Sequence, residues 1–567
     1  MQNASCAGAL GPAPIRMAPT PTGPRQNQES ASTPTDAMNA FFVRGLAHHD
    51  RPSAVVEVVR GEAFSTPGRG EQDSRGEEER RRDDEHSLPG IGHARMSGVV
   101  ARAAGAESMN PLHISGRDLE SLADEAMGLA KDYWAGVNVL PAFPATSGAE
   151  TAKLFTRGWD DAGLGRAVLD DFATIAAHSR PPGGKMFAYV AGSGEPVGAI
   201  GDLLASVLNQ NATSWRSAPA ASVIERTVIG WLAEAVGCAG YAGNLCGGGS
   251  AANLMALAMA REAKAPANET GVTPCIVYAS TEVHMAIPKA IALLGIGRDN
   301  LRLIPVDESL RMRTDALEAA IAADRKTGRR PIAIVASAGT VKNGQIDPLP
   351  AIADIAKRED LWFHVDGAFG GFAALAVPEQ FHGLDRADSL ALDAHKWLYQ
   401  PIDCGCLFYR DPQRARDAFA ASGDYVKVLN QDPTETFAFF EESMELSRRF
   451  RALKLWLSLQ YHGRAAFRAA IVEDLRHARL LAEAIGAEPA LELAAPAPLS
   501  AVCFRHRTKD NAAILRRVTA RGRVLISNAT VDGRFVLRAC FVNHRATDDD
   551  VRAIVAEVMA AADEVNG

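Results

Sequence analysis

The sequence predicts an α/β protein: a mostly parallel sheet covered by helices on both faces, followed by a smaller α/β C-terminal domain. Two observations carry this. Between residues 245 and 409, short and continuously apolar runs alternate with helical stretches, the pattern of strands buried on both faces. Beyond Tyr409 the helical stretches lengthen, and two further strand-like runs, 500–504 and 535–542, are interleaved with helical runs at 510–520 and 548–562.

The elements follow in order. The 567 residues, 47% of them apolar, are enough for two or three domains with a sizeable core. Residues 1–108 are rich in Pro, Gly, Ser and Ala and then carry a mixed-charge run from Arg69 to Glu85. Such a segment buries too little apolar surface to offset its ordering entropy, so disorder is expected, with a partner-binding tail or a start at Met96 or Met109 as alternatives. From Ser115, Leu119, Leu122, Ala123, Ala126, Met127, Leu129 and Ala130 recur at helical spacing. Helices are expected at 197–208 and 221–236; in the second, Val223, Ile224, Val228, Trp231, Leu232 and Ala235 keep a 3.6-residue period. Strands are expected at 275–278, 302–305, 332–337, 361–365, 389–392 and 406–409, with helices at 251–264, 315–325 and 349–357. A further helix is expected to open at Leu446 with Ser447 as its N-cap, and another to run over 467–485.

A net charge of −8 argues against a general nucleic-acid binder, which carries a basic surplus. The eight cysteines fall mostly in apolar strand-like runs, Cys404-Gly-Cys406 is not a CxxC pair, and no Cys/His set has zinc spacing. No metal is expected. There is neither a signal-type apolar core near the N-terminus nor an apolar stretch approaching ~20 residues, so the expectation is a soluble, cytoplasmic protein with no membrane segment.

The chemistry concentrates in Phe363-His-Val-Asp-Gly-Ala-Phe-Gly-Gly371 and Asp393-Ala-His-Lys-Trp-Leu398. An acid ending one apolar strand and a lysine following another, both near a Gly-rich turn, are what a pyridoxal phosphate site needs. Lys396 would bond the cofactor aldehyde, and Asp366 would hold the pyridinium nitrogen protonated so that the ring accepts electrons. A lysine nucleophile needs burial or neighbouring cations to be held uncharged. Gly247-Gly-Gly-Ser250 opens the helix over 251–264; a Gly-rich turn at a helix N-terminus suits a phosphate, with Gly249 and Ser250 the best positions and plain turn chemistry the alternative.

His364-Val-Asp-Gly-Ala368 together with Asp393-Ala-His-Lys-Trp397 resembles the group II pyridoxal-phosphate-dependent amino-acid decarboxylases, which include the aromatic L-amino-acid, glutamate and plant tyrosine/tryptophan enzymes. The resemblance spans roughly residues 110–565. It implies a type I, aspartate-aminotransferase-like fold with a seven-stranded sheet, and a homodimer with sites at the interface. The implied division is an extension at 1–108, a helical arm at 109–215, a cofactor domain at 216–415, a mobile loop and connecting helix at 416–465 and a small domain at 466–567. The resemblance also implies roles. His284 stacks on the ring and can bond the substrate carboxylate; Thr340 lies near the ring, with a plain Gly-Thr turn as the alternative, and Ala368 under it; His395 assists at the phosphate; Tyr425 returns a proton to Cα; Arg449 either lies near the site or is a structural helix arginine. The chain departs from the family at Cys246 and Gly247, where Ser or Thr is common, at Gly367 within an Asp-Ala-Ala pattern, and at Asp393, where animal and plant members have asparagine. Asn211, Thr213, Val190 and Gly192 stand where the aromatic enzymes carry larger or more apolar residues, which implies a more polar or roomier pocket. The expected activity is decarboxylation of an L-amino acid to its amine, with aromatic substrates as the first class. The alternatives are an acidic amino acid, diaminobutyrate, or transamination, aldehyde synthesis or lyase chemistry on the same cofactor.

Overall fold

The structure, a computed structural model, describes residues 110–421 and 432–565. The expected N-terminal extension at 1–108 and the expected proton donor Tyr425 lie outside the described residues.

Helix α1, Gly116–Gly136, starts at Ser115, whose hydroxyl accepts the Asp118 N–H, the usual relief for an orphan first-turn donor. Helix α2, Pro196–Leu208, and helix α3, Pro219–Ala235, both place a proline in the first turn, where its missing N–H costs nothing. The central sheet is formed by β1 Ala242–Cys246, β2 Ile276–Ser280, β3 Leu301–Ile304, β4 Pro331–Ser337, β5 Trp362–Asp366, β6 Ser389–Asp393 and β7 Gly405–Tyr409, in the order β1-β7-β6-β5-β4-β2-β3. Only β7 runs against the others. The seven strands and the mostly parallel pairing match the expectation.

Period-two alternation divides these strands between two cores. Phe363, Val365, Leu390, Leu392, Cys406 and Phe408 face α3 and helix α6, Leu349–Arg358. Trp362, Ala391, Leu407 and Tyr409 face helix α4, Gly249–Lys264, through Met255, Leu257 and Met259. Helix α5, Thr314–Lys326, packs Leu317 and Ile321 into the first core. Each fully buried aliphatic or aromatic side chain contributes about 1.5–3 kcal/mol, which is why continuous apolar runs, not alternating ones, mark these strands.

The small sheet is antiparallel, β8 Leu491–Leu493, β9 Ala501–His506, β10 Ser527–Val531 and β11 Arg534–Cys540, in the order β10-β11-β9-β8. It is covered by helix α8, Ala452–Ala487, helix α9, Asn511–Arg521, and helix α10, Asp548–Glu564, around a core that includes Ile485, Ile514, Val518, Val551 and Ile554.

Two expectations about α8 are corrected. It starts at Ala452 rather than Leu446, so Ser447 is not its cap. The preceding turn is pulled out of helical geometry by bonds to distant segments. Arg448 N–H donates to Asn211 Oδ1 (2.9 Å), its carbonyl accepts Ala212 N–H (2.8 Å), and its buried guanidinium pairs with Glu225 of α3 (2.5 Å) and donates to the Leu245 carbonyl (2.8 Å). The separate helix expected over 467–485 is the second part of the same run, interrupted at Gly463 (φ 74°, ψ 157°), a conformation only glycine adopts readily.

Candidate active site

Loops at the carboxyl ends of β1, β2, β4, β5 and β6 line one cavity of about 210 Å³, the edge of an open α/β sheet where ligands bind. Gly249, Ser250, His284, Thr340, Asp366, Ala368, His395 and Lys396, all singled out in the sequence, share its wall.

Lys396 lies on a single helical turn, α7′, Ala394–Trp397, directly after β6. Trp397 is buried and stacks on Phe369 (centroids 6.0 Å apart), fixing the turn. The Lys396 Nζ is 2.8 Å from Asp393 Oδ2, and Asp393 Oδ1 has no hydrogen-bond partner among the described residues. The neighbours of this lysine thus include an acid where the sequence reading asks for cations. Asp366 ends β5 and is 7% exposed. Its Oδ1 accepts the Ala368 N–H (3.1 Å). Burial pushes the Asp366 carboxyl above the usual range, while that N–H and the charges of His284 and Lys396 pull it back.

His284 follows β2. Its Nδ1 accepts the Ala286 N–H (3.2 Å), so the proton sits on Nε2, and burial lowers its pKa; the ring is neutral at neutral pH. Thr340 is buried on the wall, but its hydroxyl is committed to the turn: it donates to Asn343 Oδ1 (3.0 Å) and accepts Gln345 N–H (3.1 Å). That is the Gly-Thr turn reading of this residue.

The glycine turn is a close fit. Gly248 has φ 115°, and a Cβ on Gly249 would lie 2.7 Å from Ala368 Cβ and 3.1 Å from Asp393 Oδ2. No side chain caps α4 at Gly249, so its first N–H groups face the cavity end without a side-chain acceptor. His395 packs beside Gly248. Its Nδ1 accepts the Cys404 N–H (3.2 Å), which leaves the proton on Nε2.

Three other expectations change. Gly192 is not spare room: its N–H donates to the His395 carbonyl (3.2 Å), and a Cβ there would lie 2.8 Å from the Lys396 carbonyl oxygen. Asn211 does not add polarity to the cavity, because its Oδ1 is spent on Arg448 and it lines a separate groove with Thr213, Phe437 and Leu446. Arg449 is half-exposed and paired with Asp202 and Asp403, not on the cavity wall. Asn253, Glu282 and Ile402 line the cavity and were missed. Asn253 had one signal, an amide in an otherwise Ala/Met/Leu-rich helix.

Among the described residues, one His/carboxylate cluster has metal-like spacing, Glu473, His477 and Asp548, but both carboxylates are bonded to Arg476, so a cation already sits between them. No helix of the described residues is long and apolar enough to cross a membrane.

Pyridoxal phosphate fits the residues present. Asp366 is a buried acid without an ion-pair partner among the described residues, which a protonated ring nitrogen would supply. The uncapped start of α4 and the His395 Nε2–H suit a phosphate, and Lys396 shares the same cavity. Residues 168–507 match the pyridoxal-dependent decarboxylase conserved domain. The aromatic-L-amino-acid decarboxylase of Bacillus atrophaeus is 36% identical over 392 residues, 67% of this chain and 81% of that one. The L-2,4-diaminobutyrate decarboxylase of Rhizobium meliloti is 34% identical, over 64% of this chain and 75% of that one. The crystal structure of Oryza sativa TDC with PLP and tryptamine superposes with a TM-score of 0.75 at 26% identity, covering 81% of this chain and 99% of that one. A matching conserved domain over more than half of the chain places the protein in the pyridoxal-dependent decarboxylase family.

Proposed function

We propose that the chain decarboxylates an aromatic L-amino acid to its amine and CO₂, as a cytoplasmic homodimer. The observation that carries the reading is the convergence of Lys396, Asp366, His284 and the uncapped α4 N-terminus on one cavity. When bound, pyridoxal phosphate supplies a ring that accepts the electron pair left at Cα as CO₂ departs.

The side chains divide the remaining work. Lys396 Nζ would hold the cofactor aldehyde and give it up to the substrate amine. Asp366 would keep the proton on the ring nitrogen by opposite charge. Gly249, Ser250 and His395 would hold the phosphate, and Ala368 and Thr340 would wall the ring. His284, neutral and beside the ring, would offer Nε2–H to the substrate carboxylate and so orient the bond to be broken. Tyr425 returns the proton to Cα. Tyr425→Phe is therefore expected to shift product from amine towards aldehyde and ammonia; an unchanged amine yield removes Tyr425 from that role.

The aromatic class is supported by the 36% identical relative. L-2,4-diaminobutyrate is the second reading, supported by the 34% identical one. Glu282, the acid on the cavity wall that could meet a second amine, is already paired with Lys342 Nζ at 2.6 Å, which favours the first. The dimer is supported by exposed apolar residues, Leu119 on α1 and Leu203, Leu204, Val207 and Leu208 on α2. The cytoplasmic placement is supported by seven free, buried cysteines among the described residues.

The test is product analysis by mass spectrometry. The full chain with added pyridoxal phosphate is given the twenty amino acids plus diaminobutyrate and cysteine sulfinate, with Lys396→Ala as control. An aromatic amine absent from the control supports the proposal. Diaminopropane in its place moves the substrate to diaminobutyrate, and keto acids or aldehydes overturn the decarboxylation.

A further inference from the structure

Asn253 is fully buried and lines the cofactor cavity, yet its Nδ2 has no partner among the described residues. Buried polar groups are nearly always bonded, and leaving a donor unmet is costly, so this one calls for a ligand acceptor.

The rest of the side chain is fixed by a relay of buried groups. Trp362 Nε1–H donates to Ser389 Oγ (2.9 Å). That occupies a lone pair of the hydroxyl and leaves its proton for His364 Nδ1, also 2.9 Å away. With Nδ1 accepting, the imidazole proton is on Nε2 and donates to Asn253 Oδ1 (2.7 Å). Nδ1 also lies 3.1 Å from the Ser389 carbonyl, but a proton on Nδ1 donated there would leave the Ser389 hydroxyl hydrogen without an acceptor in the relay. Complete burial drives the His364 pKa down to about 4, so the ring stays neutral and carries a single proton. The amide therefore presents its oxygen to His364, and Nδ2 is the atom left over.

The direction of Nδ2 follows from the helix. Side chains of an α-helix lean towards its N-terminus. Asn253 stands one turn after Gly249 on α4, so its amide lies over the turn that has no side chain and whose N–H groups are uncapped.

We propose that Asn253 is a cofactor-binding residue whose Nδ2–H donates to the phosphate of pyridoxal phosphate, with Trp362, Ser389 and His364 as the residues that fix its orientation. The inference rests on the cofactor site described above and adds to it a side-chain donor from within the helix.

The experiment is an equilibrium titration of the cofactor-free full chain with two probes, pyridoxal phosphate and pyridoxal, which lacks the phosphate. Losing one charge-assisted hydrogen bond should weaken binding by about 10- to 100-fold. Asn253→Ala should show that loss for pyridoxal phosphate and less than about 3-fold for pyridoxal. Asn253→Asp keeps the acceptor for His364 and the side-chain volume, and so protects the fold; it should lose at least as much pyridoxal phosphate affinity, because a carboxylate replaces the donor. Ser389→Ala, outside the cavity, should give a smaller loss confined to the same probe. Equal losses for both probes would put Asn253 on the ring or in packing alone and overturn the proposal. So would Asn253→Asp binding pyridoxal phosphate as wild type does. A wild-type chain that bound neither probe would instead overturn the cofactor site itself.

Discussion

Gly249→Ala tests the geometry of the site most directly. The added Cβ would lie 2.7 Å from Ala368 Cβ and 3.1 Å from Asp393 Oδ2. Carbon atoms in contact prefer about 3.5–4.0 Å, so the start of α4 must retreat from the β5 loop by about 1 Å. Ala368 Cβ cannot rotate away, because it has no rotamers. Overpacking of this kind costs about 1–3 kcal/mol, while alanine at a helical position gains about 0.5–1 kcal/mol over glycine. Global stability should therefore fall by only about 2 kcal/mol at most. The larger effect falls on cofactor binding, since the displaced N–H groups lose charge-assisted bonds of about 1.5–3 kcal/mol each, or about 10- to 100-fold in Kd for one bond. The assay pairs pyridoxal phosphate titration with thermal unfolding of the cofactor-free chain. Adding Ala368→Gly removes the shorter of the two contacts and leaves the one to Asp393 Oδ2, so the double variant should recover most of the binding lost by Gly249→Ala. A single variant that binds within about 2-fold of wild type, or a double variant no better than Gly249→Ala, would refute the close-fit argument.

Other outcomes follow from single contacts. Gly192→Ala places a Cβ 2.3 Å from the His395 carbonyl oxygen and 2.8 Å from that of Lys396; displacing the lysine turn by about 1 Å should lower kcat by about 100-fold and cost about 1–3 kcal/mol of stability, and unaltered kinetics would refute it. Glu225→Ala strands the buried Arg448 guanidinium and should cost about 3–5 kcal/mol in urea unfolding; a loss under about 1 kcal/mol would mean that the carbonyls of Ala212 and Leu245 satisfy it. Asp474 is buried, accepts the Tyr399 hydroxyl (2.7 Å), and burial pushes its pKa from 3.8 to about 7. The folded chain then holds a proton that the unfolded chain has released, so this group lowers stability as pH rises from about 4 to about 7, by on the order of 4 kcal/mol. Asp474→Asn keeps an acceptor for Tyr399 and removes the titration, so its stability relative to wild type should be greater at pH 8 than at pH 5; equal differences at the two pH values would contradict the sign.

What the sequence discloses and what it hides separate along a physical line. Strands β2 and β4 to β7 were legible because both faces are buried, so their runs are apolar whichever way they are read; the edge strand β3 kept only Leu301, Leu303 and Ile304 as its signal. β1 was not, because Ala242-Gly-Asn-Leu-Cys246 carries two residues that locally favour turns. Its glycine is needed where a Cβ would lie 2.3 Å from the Leu407 carbonyl oxygen, and Asn244 donates to the Glu442 carbonyl at 2.9 Å, partners no local window contains. β10 had a local signal that was passed over: Asp532-Gly533, both at positive φ, join it to β11, as two-residue hairpin turns require. The same division runs through the site. Lys396, Asp366 and the glycine turn could be read because their chemistry belongs to the residue type. The place of Gly192 and the break before α8 could not, because each is decided by a segment some 200 or more positions away. Asn253 is the limiting case. An amide can be seen in the sequence, but which of its atoms is already used is settled by His364, 111 positions on, and the atom left over is the one that can meet a ligand.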